Sequence, residues 1–146
     1  MSGYGLRCRV CEEVTPPEPT EQCRRCDGPT DLVYDWELVA RAVTRAAVEA
    51  GPRSVWRYHW LLPAGARVET GAGWTPLERS AELSELFGID LYLKLEGESP
   101  TGSFKDRIAA LAVSAALDHG VTTLCCSSTG NLGAAVAAAA AATGLE

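Results

Sequence analysis

Two Cys-x2-Cys pairs lie near the start of this chain: Cys8 with Cys11, then Cys23 with Cys26 after a gap of eleven residues. Each pair offers two sulfurs from one tight turn, and the gap is long enough to return as a hairpin. Two such knuckles facing each other give the tetrahedral four-thiolate set that suits zinc. Two disulfides, or four reduced and unligated thiols, are the alternatives. Met1 to Leu6 is too short for a secretory leader and gives way to charged, cysteine-rich sequence, which favours metal over disulfides. Arg7, Arg9, Arg24 and Arg25 flank the pairs and would offset the negative charge of a four-thiolate zinc centre. Glu12 and Asp27 stand where glycine often follows the second cysteine. Cys125 and Cys126 close an apolar run and read as buried small hydrophobes.

The rest of the chain divides by pattern. Residues 1–34 form a four-cysteine, zinc-ribbon-like module, with the segment Thr15 to Pro19 as its hairpin tip and 31–34 as a closing strand. Residues 35–76 are a connecting segment: a helix from about 36 to 49, stopped by Gly51-Pro52, then an irregular stretch rich in Trp, Pro and Gly. From 77 to 146, helices expected at about 78–87 (stopped by Gly88), 103–119 (stopped by Gly120) and 132–142 alternate with strands at 89–95 and 121–126. Strand, helix, strand, helix predicts an α/β parallel sheet with crossovers, whose ligands gather beyond the carboxyl ends of the strands. Two polar loops fall at that edge, Ser99 to Arg107 and Ser127 to Asn131.

The first of these loops holds Lys105. The chain has 11 arginines and only two lysines, Lys94 and Lys105. A guanidinium keeps its proton and forms no imine, whereas a lysine amine can lose its proton and attack an aldehyde. The start of a helix also disfavours an ammonium. The plainer reading is a helix-start lysine paired with Asp106 or facing solvent. Lys94 reads as a solvated strand residue. Asn131 reads as an ordinary N-cap of the helix that follows, and the N-terminus of that helix, beside Ser128 and Thr129, suits an anion.

The segments Ser99 to Arg107 and Ser127 to Asn131 resemble the lysine and asparagine loops of fold-type II pyridoxal-phosphate enzymes. With residues 54–62 (Ser-Val-Trp-Arg-Tyr-His-Trp-Leu-Leu), 71–77 (Gly-Ala-Gly-Trp-Thr-Pro-Leu) and the four cysteines, the chain is similar to the N-terminal part of the threonine synthase family from about Cys8 onward. The resemblance implies a tryptophan-synthase-β-like parallel-sheet fold, here incomplete, carrying pyridoxal 5'-phosphate and a structural zinc held by Cys8, Cys11, Cys23 and Cys26. It implies that Lys105 holds the cofactor and serves in catalysis, and that Asn131 meets the cofactor's phenolic oxygen. Ser128, Thr129 and Asn131 would receive the substrate carboxylate. The implied reaction converts O-phosphohomoserine and water to threonine and phosphate, with a homodimer expected for the complete enzyme. The family's Gly-rich phosphate loop lies beyond the region matched, so this N-terminal fragment is expected to be inactive alone. Cysteate synthase-like or threonine dehydratase-like activity is the nearby alternative. A zinc-ribbon binding module on a catalytically dead remnant is the alternative of another class.

A net charge of −6 and a pI near 5.0 argue against a nucleic-acid binder that relies on bulk electrostatics. The longest apolar run, Leu132 to Ala142, is too short to span a bilayer. A cytoplasmic protein acting on a small amino-acid phosphate, without nucleic-acid or membrane partners, is the expectation.

Overall fold

The computed structural model describes residues 3–18, 20 and 22–146. Three short strands open the chain: β1 (Tyr4–Cys8), β2 (Val14–Thr15) and β3 (Thr30–Tyr34), in the antiparallel order β2-β1-β3. The closing strand is therefore present, pairing Tyr4 with Tyr34 and Cys8 with Thr30. Thr15 belongs to β2, opposite Leu6, and Pro19 of the expected hairpin tip lies outside the described residues. The sheet buries little besides Leu6, Cys8 and Cys23, so its sulfur cluster stands in for a core.

The single helix expected at 36–49 is two: α1 (Trp36–Ala42) and α2 (Arg45–Ala50). The break has a local cause. Thr44 turns extended and its hydroxyl accepts from Ala47 N–H at 3.1 Å, so it caps a new helix in place of continuing the old one. Asp35 caps α1 in the same way through Leu38 N–H. After α2, residues Val55–Leu61 form a 3-10 segment kinked at Tyr58. The buried Arg57 guanidinium donates to the carbonyls of Val48, Glu49, Gly51 and Pro52 at 2.6–3.1 Å. The guanidinium thus gathers carbonyls at and just beyond the end of α2, where Val48 O also accepts from Gly51 N–H at 3.1 Å. Trp56, 1% exposed, packs with Val55, Ala72 and Ala110, and its indole N–H donates to Val68 O at 2.9 Å. Trp56 thus serves packing, whereas Tyr58 of the same segment is exposed.

The second half departs from the expected parallel sheet. β4 (Leu77–Arg79) and β5 (Tyr92–Lys94) pair antiparallel, flanking α3 (Ala81–Phe87). Two residues of the expected helix at 78–87, Glu78 and Arg79, thus belong to a strand, and Ser80 supplies the cap that starts α3. Residues 121–126 run without a strand partner among the named elements, so β5 and this segment do not form a parallel pair. Among the described residues their one ladder-like contact is with Glu146: its N–H donates to Thr122 O at 3.0 Å and its carbonyl accepts from Leu124 N–H at 2.6 Å. With no sheet neighbour alongside, Cys125 is exposed and Cys126 half-buried, which corrects the expectation that both are buried.

α4 (Lys105–Asp118) and α5 (Asn131–Thr143) pack on each other through small residues, Ala109 and Val113 against Ala135 and Ala139. Gly88 and Gly144 take left-handed backbone directly after α3 and α5, and Gly120 does so one residue past α4, after His119; Gly88 and Gly120 are the stops predicted. No helix among the described residues is long and apolar enough to cross a membrane.

Candidate functional site

The four N-terminal cysteines converge. Their Sγ atoms all lie within 4.8 Å of one another, with Cys8 and Cys26 at 3.4 Å and Cys11 and Cys23 at 3.6 Å. A tetrahedral ion with metal–sulfur bonds of about 2.3 Å sets sulfur–sulfur edges of roughly 3.8 Å, so this donor set fits one. The two knuckles repeat the same backbone. Cys8 N–H donates to Glu13 O as Cys23 N–H does to Gly28 O, and Glu12 N–H returns to Cys8 O as Asp27 N–H does to Cys23 O. Glu12 and Asp27 take φ of 59° and 55° to close these turns, the region where glycine is the usual residue.

Amides aimed at sulfur complete each knuckle. Val10 and Cys11 N–H point at Cys8 Sγ from 3.3 and 3.4 Å, and Arg25 N–H points at Cys23 Sγ from 3.4 Å. The Cys11 amide is the largest influence drawing the Cys8 thiol down to about 6, aided by Val10 N–H and the neighbouring thiols against the cost of burial. The Gly28 amide draws Cys26 down, but the crowd of thiols led by Cys8 outweighs it and pushes Cys26 up to about 12. Four thiolates this close resist ionising together, and a divalent cation removes that conflict. The flanking arginines serve less than their number suggested: Arg9 pairs with Asp31 and Arg24 with Glu18.

Gly28 lies against this cluster. A Cβ there would sit 2.7 Å from Val10 Cγ2 and 3.0 Å from Cys8 Sγ. Gly28→Ala is therefore expected to push the first knuckle off its geometry and lower metal content well below one ion per chain, as read by elemental analysis of the purified protein.

Lys105 is the first residue of α4. Its backbone N–H donates to Ser103 Oγ at 3.3 Å, and its amine lies 4.5 Å from the Phe104 ring centroid. Among the described residues the amine has no hydrogen bond or ion pair, so the expected alternative of pairing with Asp106 does not occur. Asp106, 4% exposed, instead accepts from Thr101 N–H at 2.8 Å and Thr101 Oγ–H at 2.7 Å. Arg107 makes a fork to Glu96, Nε–Oε2 2.9 Å and Nη2–Oε1 2.8 Å. Thr75 Oγ–H also donates to Glu96 Oε1, at 2.6 Å. Glu96 had no partner legible from sequence: it is eleven positions from Arg107, a separation no periodicity reveals. Lys94, on β5, donates to Thr75 O.

Arg107 beside Glu96 is the main reason the Glu96 carboxyl falls from an ordinary 4.5 to about 2, with Thr75 next. Because folding lowers this pKa, the pair's contribution to stability is complete above the ordinary value and is lost as pH falls through about 2. Urea unfolding at neutral pH and near pH 2 is expected to show a gap between wild type and Glu96→Gln that closes on acidification.

Asn131 is the first residue of α5, but Gly130 occupies the capping position and no side chain caps the helix. The expected N-cap role for Asn131 is thus not realised, and among the described residues its amide makes no hydrogen bond. Ser128 Oγ accepts from Gly130 N–H at 3.3 Å, and Thr129 is exposed. A Cβ on Gly133 would come 2.4 Å from Ser128 O, so glycine there lets the loop lie directly on the first turn of α5. Gly133→Ala is expected to displace that loop, cost about 1–3 kcal/mol and speed amide exchange over 127–131. No hydrogen bond joins Lys105 to Ser128, Thr129 or Asn131 among the described residues.

Among the described residues, Lys105 thus opens α4 with its amine free of hydrogen bonds and ion pairs, and Asn131 opens α5 with its side chain uncommitted. The chain belongs to the pyridoxal-phosphate dependent enzyme family, whose sequence pattern matches residues 68–146. It is similar to threonine synthase of Methanosarcina acetivorans, at 41% identity over 137 residues, covering 92% of this chain and 33% of that protein. Threonine synthase of Methanocaldococcus jannaschii is 36% identical over 142 residues, covering 94% and 35%. Threonine synthase of Mycobacterium tuberculosis is 43% identical over 97 residues, covering 64% and 27%. The chain spans about a third of the length of the first two relatives.

Proposed function

We propose that this chain is the lysine-bearing part of a threonine-synthase-like lyase that turns O-phosphohomoserine and water into threonine and phosphate. The observation that carries this reading is Lys105: its backbone and both following residues are tied down while its amine is left free. Lys105 Nζ would hold the cofactor through its aldehyde carbon. Asn131, whose amide no cap consumes, would meet the ring oxygen. When bound, pyridoxal phosphate supplies an electron sink for bond cleavage at the substrate's α and β carbons. Once displaced by the substrate amine, Lys105 Nζ would carry protons between those carbons. The hydroxyls of Ser128 and Thr129 and the N-terminus of α5 would receive the substrate carboxylate. Phosphate leaves the γ carbon and water adds at the β carbon.

The remaining assignments belong to the same proposal. Zinc is the ion we assign to Cys8, Cys11, Cys23 and Cys26, as a closed structural site with no open position. Residues 1–34, 35–76 and 77–146 are the proposed module, connector and partial cofactor domain. The segment 121–126 is the proposed strand of a parallel sheet, supported by its two bonds to Glu146, which flank Thr123 in the slanted manner of a parallel pair. A dimeric complete enzyme in the cytoplasm, with the 146-residue chain inactive alone, completes the reading.

Phosphate release by the full-length protein from phosphohomoserine and, separately, from phosphoserine tests the substrate. Release from the first alone supports the synthase reading, and preference for the second moves the chain to a cysteate-synthase-like activity. The binding-module reading draws on the complete sulfur cluster. A nucleic-acid shift at physiological salt, with no phosphate release from either compound, would favour it.

A further inference from the structure

The first turn of α4 is fastened from three directions, and the Lys105 side chain takes part in none of the fastenings. Asp106 reaches back to both donors of Thr101, and Ser103 Oγ receives the Lys105 N–H. Arg107 reaches sideways to Glu96, and its Nη2 also approaches Thr75 Oγ at 3.2 Å. Thr75 in turn holds Glu96 and is held through its carbonyl by Lys94. The ties run to three separate stretches of chain: the loop before the helix, the 3-10 turn at Glu96–Glu98, and the segment before β4.

We infer that Glu96 and Arg107, with Thr75, are positioning residues that set where the Lys105 amine points. The inference rests on the reading that Lys105 carries the cofactor. Its physical basis is leverage. A side-chain tip roughly 6 Å from a helix axis moves about 2 Å when the turn rotates by about 20°, and misplacement of about 1 Å can cost roughly a hundredfold in reaction. The Asp106 tie restrains the loop but leaves this rotation open, because it connects residues five apart in one local turn. The Arg107 fork closes it, because its two parallel bonds anchor the turn to a separate element. A lysine at 107 would keep the charge and lose the fork. That substitution therefore separates orientation from electrostatics.

The test uses the full-length protein and two lysine-labelling reactions read by peptide mapping. In one, pyridoxal phosphate is bound and fixed with borohydride. In the other, formaldehyde replaces the cofactor, so only the accessibility of the amine is read. Arg107→Lys and Glu96→Gln are each expected to lower cofactor labelling of Lys105 by about 10- to 100-fold, with formaldehyde labelling within about twofold of wild type. The double variant is expected to match the single ones, because the pair acts as a unit. Thr75→Ser, which keeps the hydroxyl, should label as wild type. Should Arg107→Lys fail to fold by circular dichroism, Thr75→Val, which leaves the ion pair whole, carries the same comparison with a smaller loss. Equal cofactor labelling in wild type and variants overturns the inference while leaving the cofactor reading intact. A parallel fall in both reactions also overturns it, because a purely structural role would do the same. Absence of cofactor labelling at Lys105 in the wild type overturns the cofactor reading and this inference together.

Discussion

Lys105→Ala is expected to leave the fold intact and to lower phosphate release from phosphohomoserine by at least about 10³-fold, roughly 4 kcal/mol of transition-state stabilisation. The two halves of this expectation have separate causes. The amine has no hydrogen bond or ion pair among the described residues, only the face of Phe104 at 4.5 Å, so its removal takes little from stability. Substitutions of that kind usually fall within about 0.5 kcal/mol. The functional loss is large because no neighbour can replace a nucleophilic amine: Lys94, the only other lysine, is engaged with Thr75 O. Lys105→Arg should fail as completely, since a guanidinium stays protonated and does not attack a carbonyl carbon. Thermal melting checks the first half, and a phosphate-release assay on the full-length protein checks the second. A variant that melts far below wild type would mean that Lys105 holds the fold.

The second large effect is expected at the sulfur cluster. Cys8→Ser should abolish stoichiometric metal binding and unfold the β2-β1-β3 sheet. Cys8 is 1% exposed, receives two backbone amides, and touches Cys26, so one atom exchange disturbs both knuckles. A sheet whose interior is little more than Leu6, Cys8 and Cys23 has no apolar core to fall back on. Modules this small usually need a metal or disulfides to fold. Structural zinc supplies about 10–16 kcal/mol of apparent binding energy in comparable peptides, far more than such a sheet could lose and survive. Rapid trypsin cleavage after Arg7, Arg9, Arg24 or Arg25, in the variant or after chelation of wild type, is the expected readout. The effect should reach the connector too, because Tyr34 O–H donates to Leu61 O at 2.6 Å and Asp35 N–H donates to Gly3 O at 3.0 Å. Unchanged metal content in Cys8→Ser would remove Cys8 from the ligand set.

What the sequence made legible was local chemistry. The cysteine spacing announced two facing knuckles, and the glycines at 88 and 120 marked helix ends, because each depends on a few neighbouring residues. The polar loops announced the starts of α4 and α5 for the same reason. What was hidden depended on partners distant along the chain. The β4–β5 pair took two residues that read as helix, Glu78 and Arg79, since Leu77 to Arg79 gain a ladder with Tyr92 to Lys94 that propensity does not foresee. Val43-Thr44 broke a helix whose apolar spacing continued across it, because a capping hydroxyl outweighs periodicity at a single residue. Asn131 looked like a cap, yet the chain enters α5 one residue earlier, at Gly130. The Glu96–Arg107–Thr75 network joins three segments and carries no sequence signature of its own, although it braces the turn on which Lys105 sits.

The most direct test of the central claim is to bind pyridoxal phosphate to the full-length protein, reduce with borohydride, digest, and locate the added mass. The account predicts the cofactor on the peptide containing Lys105, at close to one per chain, with Lys94 unmodified. Cofactor on Lys94, or on neither lysine, would contradict it.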